Sequence, residues 1–193
     1  VRGFLFDTEQ YESGVALARQ SFDNLAIEGE LAIELSREPR DEDFTDHLLP
    51  PCISRIFPVI ELHNHVMRGQ QASAGELIAN NAIHAGFISE NGGLTLSHCS
   101  ETMFDGARLE IFVNNQLLGQ CEGHSLLETI RLSLRWLWHE LLQSSERLHA
   151  GQIVLTGSVP NLFPVVDECC IRVESVPFGD VAAAVKNTTL RTC

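Results

Sequence analysis

The 193-residue sequence has a single lysine, Lys186, near its C-terminus. A mechanism that needs a lysine ammonium deep in an active site has almost nothing to draw on. Basic residues are scarce: 13 Lys and Arg stand against 26 Asp and Glu, a formal charge of −13. Nucleic-acid binding wants a basic stripe, and none is present, so no nucleic-acid partner is expected. An anionic membrane surface is disfavoured for the same reason. No apolar run approaches the ~20 residues needed to span a bilayer. The longest, Ile153 to Val166, is broken by Gly157, Ser158, Pro160, Asn161 and Pro164. The start has no secretory apolar region, and the sequence opens on Val1 rather than Met. The six cysteines (Cys52, Cys99, Cys121, Cys169, Cys170, Cys193) form no CxxC pair and no metal-type spacing. They read as reduced, mostly buried thiols of a cytoplasmic protein. No glycine pattern opens a helix after a strand, and Gly157-Ser158-Val159-Pro160 lacks the second glycine of a nucleophile elbow. Phosphate cradles and serine hydrolysis are unsupported.

What is present is strand. Residues Leu25 to Leu35 read LAIEGELAIEL, with apolar residues alternating against Glu28, Glu30 and Glu34. Period two predicts a strand with one core face and one acidic face. A second strand is expected over Arg55 to Leu62, with Pro58 demoting part of it to an edge or an entry segment. Arg40 to Leu49 reads as a short helix stopped by Pro50 and Pro51. Ser73 to Ala85 reads as a helix capped by Ser73 and Glu76 and ended by Gly86. Leu94 to Leu96 is a short strand. Arg108 to Val113 and Gln116 to Cys121 flank Asn114-Asn115, a hairpin turn. Ser125 and Glu128 form a capping box for the longest helix, about Leu126 to Gln143. Gln152 to Thr156, Cys170 to Val176 and Val181 to Val185 complete the strands. With no βαβα alternation, repeat or linker, the expectation is one domain over residues 1–193, α+β and β-rich.

Glu28 and Glu30 point the same way on a strand, roughly 6.5–7 Å apart at Cα. Two ionised carboxylates side by side repel unless a cation sits between them. A hard divalent ion such as Mg²⁺ takes oxygen ligands. Glu61, set between Ile60 and Leu62, is an odd charge in an apolar run and offers a third carboxylate. The competing reading makes the glutamates the solvated face of an edge strand, and Glu34 fits that better than a site. His63 and His65 would share a face as a polar rim. His124 reads as a loop histidine near a helix start.

Several segments together resemble the 2-keto-4-pentenoate hydratase group, which includes 4-oxalocrotonate decarboxylases and lies in the fumarylacetoacetate hydrolase superfamily. They are Gly3-Phe4-Leu5-Phe6, Ile27-Glu28-Gly29-Glu30-Leu31-Ala32-Ile33, Pro58-Val59-Ile60-Glu61-Leu62, Ala79-Asn80-Asn81-Ala82, Trp136-Leu137 before Ala150-Gly151-Gln152, and Gly151 through Thr156-Gly157-Ser158. The match runs from Gly3 to about Val185. The resemblance implies a mixed β-roll of the superfamily's C-terminal domain type. It implies Mg²⁺ or Mn²⁺ held by Glu28, Glu30 and Glu61, with Asn81, Thr156, Gly157 and Ser158 on the substrate side. It implies a homo-oligomer and a short unsaturated 2-oxo acid bound through its carboxylate and 2-oxo oxygens. Hydratase chemistry is the first expectation, 4-oxalocrotonate-type decarboxylation the alternative, and a metal-binding paralogue with little turnover a third. A metal on the 2-oxo oxygen would stabilise the enolate in either reaction. The family's N-terminal segment, with its lysine near Gly-Leu-Thr, has no counterpart here. Asn80 stands for Asp, Ile83 for Ser, His63-Asn64 for Pro-Asp, and Asp167-Glu168 for a Gly-Asp turn. His63 or His84 would have to replace the lost proton-transfer group, although spacing places neither on the glutamate face.

Overall fold

The computed structural model describes residues 1–45, 48–67, 72–95, 101–158 and 161–187. Among these residues twelve strands form two sheets. The strands are β1 (Gln10–Glu12), β2 (Val15–Ala18), β3 (Leu25–Leu35), β4 (Ile53–Asn64), β5 (His84–Ser89), β6 (Leu94–Thr95), β7 (Arg108–Val113), β8 (Gln116–Glu122), β9 (Ile153–Leu155), β10 (Phe163–Pro164), β11 (Cys169–Val176) and β12 (Gly179–Lys186). The helices are α1 (Ala74–Ala79) and α2 (His124–Gln143). One sheet runs β1-β5-β4-β3-β10, with β6 added to β4 and β9 to β3; the other runs β2-β12-β11-β7-β8. This is the expected β-rich α+β roll. No helix among the described residues is long and apolar enough to cross a membrane.

The long antiparallel pair β3–β4 is the spine. Its register sets Glu28 opposite Glu61 and Glu30 opposite Val59. Alternation then sorts the side chains. Leu25, Ile27, Leu31, Ile33 and Leu35 enter the core shared with Ile111, Ile171 and Val173 of the second sheet and with Ile130 and Leu134 of α2. Gly29 lies in this row because nothing larger fits: a Cβ there would stand 2.5 Å from Ile111 Cγ1 and 2.9 Å from Val173 Cγ2.

The opposite face of β3 departs from expectation. It is not solvated. Ala32, Phe57, Val59 and Phe87 form a second apolar cluster there, covered by Leu5, Ile153 and Leu155. Glu30 is 1% exposed. Glu34 alone behaves as a rim residue, half-buried and paired with Arg55 at 2.8 Å. Alternation fixes which residues share a face, but tertiary packing decides whether that face meets water.

Other elements differ locally. Pro58 is not on an outer strand. It pairs with Leu31 on one side and falls, on the other, in the gap between the stretches of β4 that meet β6 and β5. A missing N–H is tolerated in such a gap. The expected Arg40–Leu49 helix is a 3₁₀ turn, Asp41–Phe44; residues 46 and 47 lie outside the described residues. Buried Asp43 holds the turn, accepting from Arg40 N at 2.8 Å and from the Arg37 guanidinium at 2.6 and 2.7 Å. Helix α1 carries its capping box but ends at Ala79, well before Gly86. Asn81, Ala82 and Ile83 turn left-handed (φ 48°, 58° and 60°) and deliver His84 to β5. Gly86 sits inside β5, where a Cβ would lie 2.7 Å from Glu9 O. The Ser125 capping box is not made: α2 starts at His124 with Gly123 as N-cap, and Ser125 Oγ donates to Glu122 O. His124 itself is exposed and lies 3.1 Å from Asp105. The Asn114-Asn115 hairpin turn forms with both residues at positive φ. Cys52 and Cys121 are buried, Cys169 half-buried and Cys170 exposed, all free thiols; Cys99 and Cys193, like Leu96, lie outside the described residues.

Gly29→Ala tests the sheet-to-sheet approach. Ile111 and Val173 are fully buried and have no room to yield. Overpacking of this kind costs about 1–3 kcal/mol. Chemical denaturation should show that loss; an unchanged midpoint would mean that the sheets relax apart.

Candidate metal centre

The buried polar face of β3–β4–β5 carries Glu28, Glu30, Glu61, His63 and His84. Two rules bring them together. Cross-strand pairing sets Glu61 against Glu28, and His84 against His63 beside an irregularity in β4–β5 pairing. Period two puts Glu30 beside Glu28 and His63 beside Glu61. Glu61, Glu30, His63 and His84 line a cavity of about 1240 Å³, closed by the N-terminal segment, β9 and residues of α2 including Ser133 and Trp136.

His63 Nε2 lies 3.2 Å from Glu28 Oε2 and 3.4 Å from Glu61 Oε2. His84 Nδ1 lies 2.6 Å from Glu61 Oε1. Ligand atoms from Glu28, Glu61 and His63 all lie within 4.8 Å of one another. Glu30 stands beside this trio, its Oε2 accepting the Gly157 N–H, while no donor among the described residues meets its buried Oε1. Burial, and then the neighbouring charge of Glu61, push the Glu30 carboxyl well above the ordinary range. Burial pushes Glu61 the same way, but hydrogen bonds from His63 and His84 hold its carboxyl well below that range. Burial disfavours the His63 imidazolium, yet bonds to Glu28 and Glu61 outweigh it and raise the ring to about 9. Three carboxyl groups thus share a site with the His63 ring, whose charged form Glu28 and Glu61 favour. The oxygen-rich donor set, the crowding and the unmet Glu30 Oε1 fit a divalent cation.

The four residues expected on the substrate side behave differently. Thr156 is buried on the cavity wall with its hydroxyl donated to Leu31 O at 2.7 Å. Gly157 offers its N–H to Glu30. Asn81 clamps the N-terminal segment, accepting from Phe4 N at 2.6 Å and donating to Phe4 O at 2.8 Å. Its amide is committed there, outside the cavity lining. Ser158 Oγ reaches Asn161 O at 3.5 Å and is likewise not on the lining. Both histidines are additions to the expected site. His63 is not a rim residue but 8% exposed. The signal that finds it is its place two residues after Glu61. His84 follows a left-handed turn that no sequence rule predicts from Ala82 and Ile83.

No family model matches the sequence. Solved structures do match. The 4-oxalocrotonate decarboxylase from Pseudomonas putida G7, complexed with magnesium and adipate, superposes with a TM-score of 0.78 at 19% identity, over 95% of this chain and 69% of that one. The 5-carboxymethyl-2-hydroxymuconate delta-isomerase from Mycobacterium smegmatis gives 0.67 at 18% identity, over 96% and 68%. The fumarylpyruvate hydrolase from Pseudomonas aeruginosa, in complex with Mn²⁺ and pyruvate, gives 0.64 at 10%, over 93% and 74%. The chain has the fold of the fumarylacetoacetate hydrolase superfamily, as the sequence motifs imply.

Two measurements check the electrostatics. Glu30→Gln swaps an acid disfavoured in its charged form for a neutral amide. The ion-free variant is expected to be no less stable than the parent, but to lose most of the melting-temperature rise that Mn²⁺ gives the parent by binding the folded state. A rise equal to the parent's would remove Glu30 from the site. His63, raised from 6.5 to about 9 by folding, binds more protons folded than unfolded between those values. Its stabilisation is full below 6.5 and is lost as pH rises through about 9. The ion-free protein is therefore expected to lose stability across that window more steeply than His63→Gln. Parallel curves would show that His63 carries no charge in the site.

Proposed function

We propose that this chain is a divalent-metal-dependent lyase of the hydratase type, acting on a short unsaturated 2-oxo acid. The observation that carries the reading is the meeting of Glu28, Glu61 and His63 ligand atoms within 4.8 Å of one another, with Glu30 beside them and Glu30 and Glu61 on a cavity wall of this fold. Glu28 and Glu61 would hold the ion from facing strands, with Glu30 beside them. The bound ion supplies positive charge where a 2-oxo acid accumulates enolate charge. Solved structures with this fold carry magnesium, calcium or Mn²⁺ with carboxylate ligands.

The chain's own residues supply the rest. Glu61 Oε1 accepts from His84 Nδ1 and fixes the tautomer, which leaves Nε2 as the basic nitrogen. That Nε2 is buried without a partner among the described residues, and His84 lines the cavity. His84 Nε2 therefore takes and returns the proton in this reading, the task for which the single lysine is out of reach. Phe87, Leu137 and Leu155 give the cavity it lines an apolar wall. Gly157 N–H holds Glu30 in place.

A second reading, decarboxylation of a 4-oxalocrotonate-type acid, is favoured by the higher TM-score to that decarboxylase. Arg2, on the cavity wall, could meet a second carboxylate. A homo-oligomer belongs to the same proposal, supported by the exposed apolar Leu132 and Trp136 on one face of α2; sedimentation tests it.

The test is metal analysis of purified protein, then assay of 2-hydroxypenta-2,4-dienoate and 4-oxalocrotonate at saturating Mn²⁺. Loss of a general acid–base group costs typically ~10²–10⁴-fold. His84→Gln is expected to lose that much in kcat while still binding the ion. Ion binding without turnover of either substrate by the parent would leave the metal-binding paralogue and end the lyase reading.

A further inference from the structure

Ligands held at metal–ligand lengths of about 2.0–2.2 Å stand roughly 3.0–3.5 Å apart at neighbouring corners of a coordination polyhedron. His63 Nε2 stands 3.2 Å from Glu28 Oε2 and 3.4 Å from Glu61 Oε2. The nitrogen therefore already occupies a corner beside two carboxylates, and it lies among the donors rather than behind them. His63 is 8% exposed and its strand is paired on both sides, with Ala26 and with His84. The ring is placed by the sheet and not by a mobile loop. Its Nδ1 has no partner among the described residues, so no donor pins Nδ1 as an acceptor, and a neutral ring is free to carry its hydrogen there. The other neighbour is arranged to help. Glu61 commits Oε1 to His84 Nδ1 and keeps Oε2 toward His63. A ligand carboxylate held by an outer hydrogen bond is a common way of orienting a metal site.

A nitrogen corner changes which ion the site prefers. Mg²⁺ and Ca²⁺ are hard ions that take oxygen, whereas imidazole suits Zn²⁺ and its first-row neighbours. We propose that His63 Nε2 is a metal ligand together with Glu28 and Glu61, and that this nitrogen tunes the site toward first-row transition ions, Zn²⁺ in particular, over Mg²⁺. The inference rests on the metal reading above and sharpens it to the class of ion.

The test measures the dissociation constants of Zn²⁺ and Mg²⁺ for the full chain and for His63→Gln, which keeps a polar side chain of similar reach. The Zn²⁺-over-Mg²⁺ preference is expected to fall about tenfold or more in the variant, mostly through weaker Zn²⁺ binding. In the parent, Zn²⁺ should shift the ¹⁵Nε2 resonance of His63, a readout independent of whether the variant folds. Binding of both ions with the His63 ring resonance unmoved and the preference unchanged overturns the nitrogen ligand and leaves the carboxylate site standing. Failure of both ions to bind the parent overturns both this inference and the metal reading.

Discussion

Like-charge crowding is the constraint on which the site depends. Three carboxyl groups crowd together on one face of β3–β4, two of them on the cavity wall, and each negative charge added there makes the next one costlier. The chain meets the cost in three ways. Burial and the nearby Glu61 charge press Glu30 toward its neutral form. The two histidines hold Glu61 in its charged form. His63 is pressed toward imidazolium between Glu28 and Glu61. None of these groups would have these properties alone, and all of them follow from one register, Glu28 against Glu61.

That register is itself maintained from behind. The face of β3 away from the glutamates is a row of leucine and isoleucine broken only by Gly29, where Ile111 and Val173 come too close for any Cβ. The Glu-Gly-Glu sequence thus does two jobs in three residues. Its acids form the site, and its glycine lets the second sheet press against the strand that carries them. A one-residue slip of β3 would exchange the two faces, burying glutamates in an aliphatic core.

The strands and their order were largely legible because period two is a strong signal where a strand runs long, as in Leu25–Leu35, and because Asn114-Asn115 suits a tight hairpin. The three glutamates were legible as a set from spacing and motif order. Three things were not. Whether the acidic face of β3 meets water depends on Leu5, Ile153 and Leu155, which arrive from both ends of the chain. The end of α1 depends on three left-handed residues, two of them Ala82 and Ile83, which have no intrinsic preference for that region. The Ser125 capping box was a false signal because Gly123, at φ 63°, already turns the chain into α2. Local rules name the residues that share a face; only the packing of distant segments says what that face touches.

The scarcity of lysine gives these arrangements a common logic. Lys186 lies on β12 of the other sheet, away from the carboxylate site. Between Glu28 and Glu61 the positive charge would come from a bound cation or from protonated His63. Proton and metal ion are therefore alternatives at one place. A site with an independent lysine would keep its proton carrier whether or not the ion is bound. A cation held by Glu28 and Glu61 would compete with the His63 proton, while His84 is hydrogen-bonded to Glu61 at one nitrogen and has no partner among the described residues at the other. In the proposed reading two histidines divide the labour, one facing Glu28 and Glu61 and one hydrogen-bonded to Glu61 from the other side.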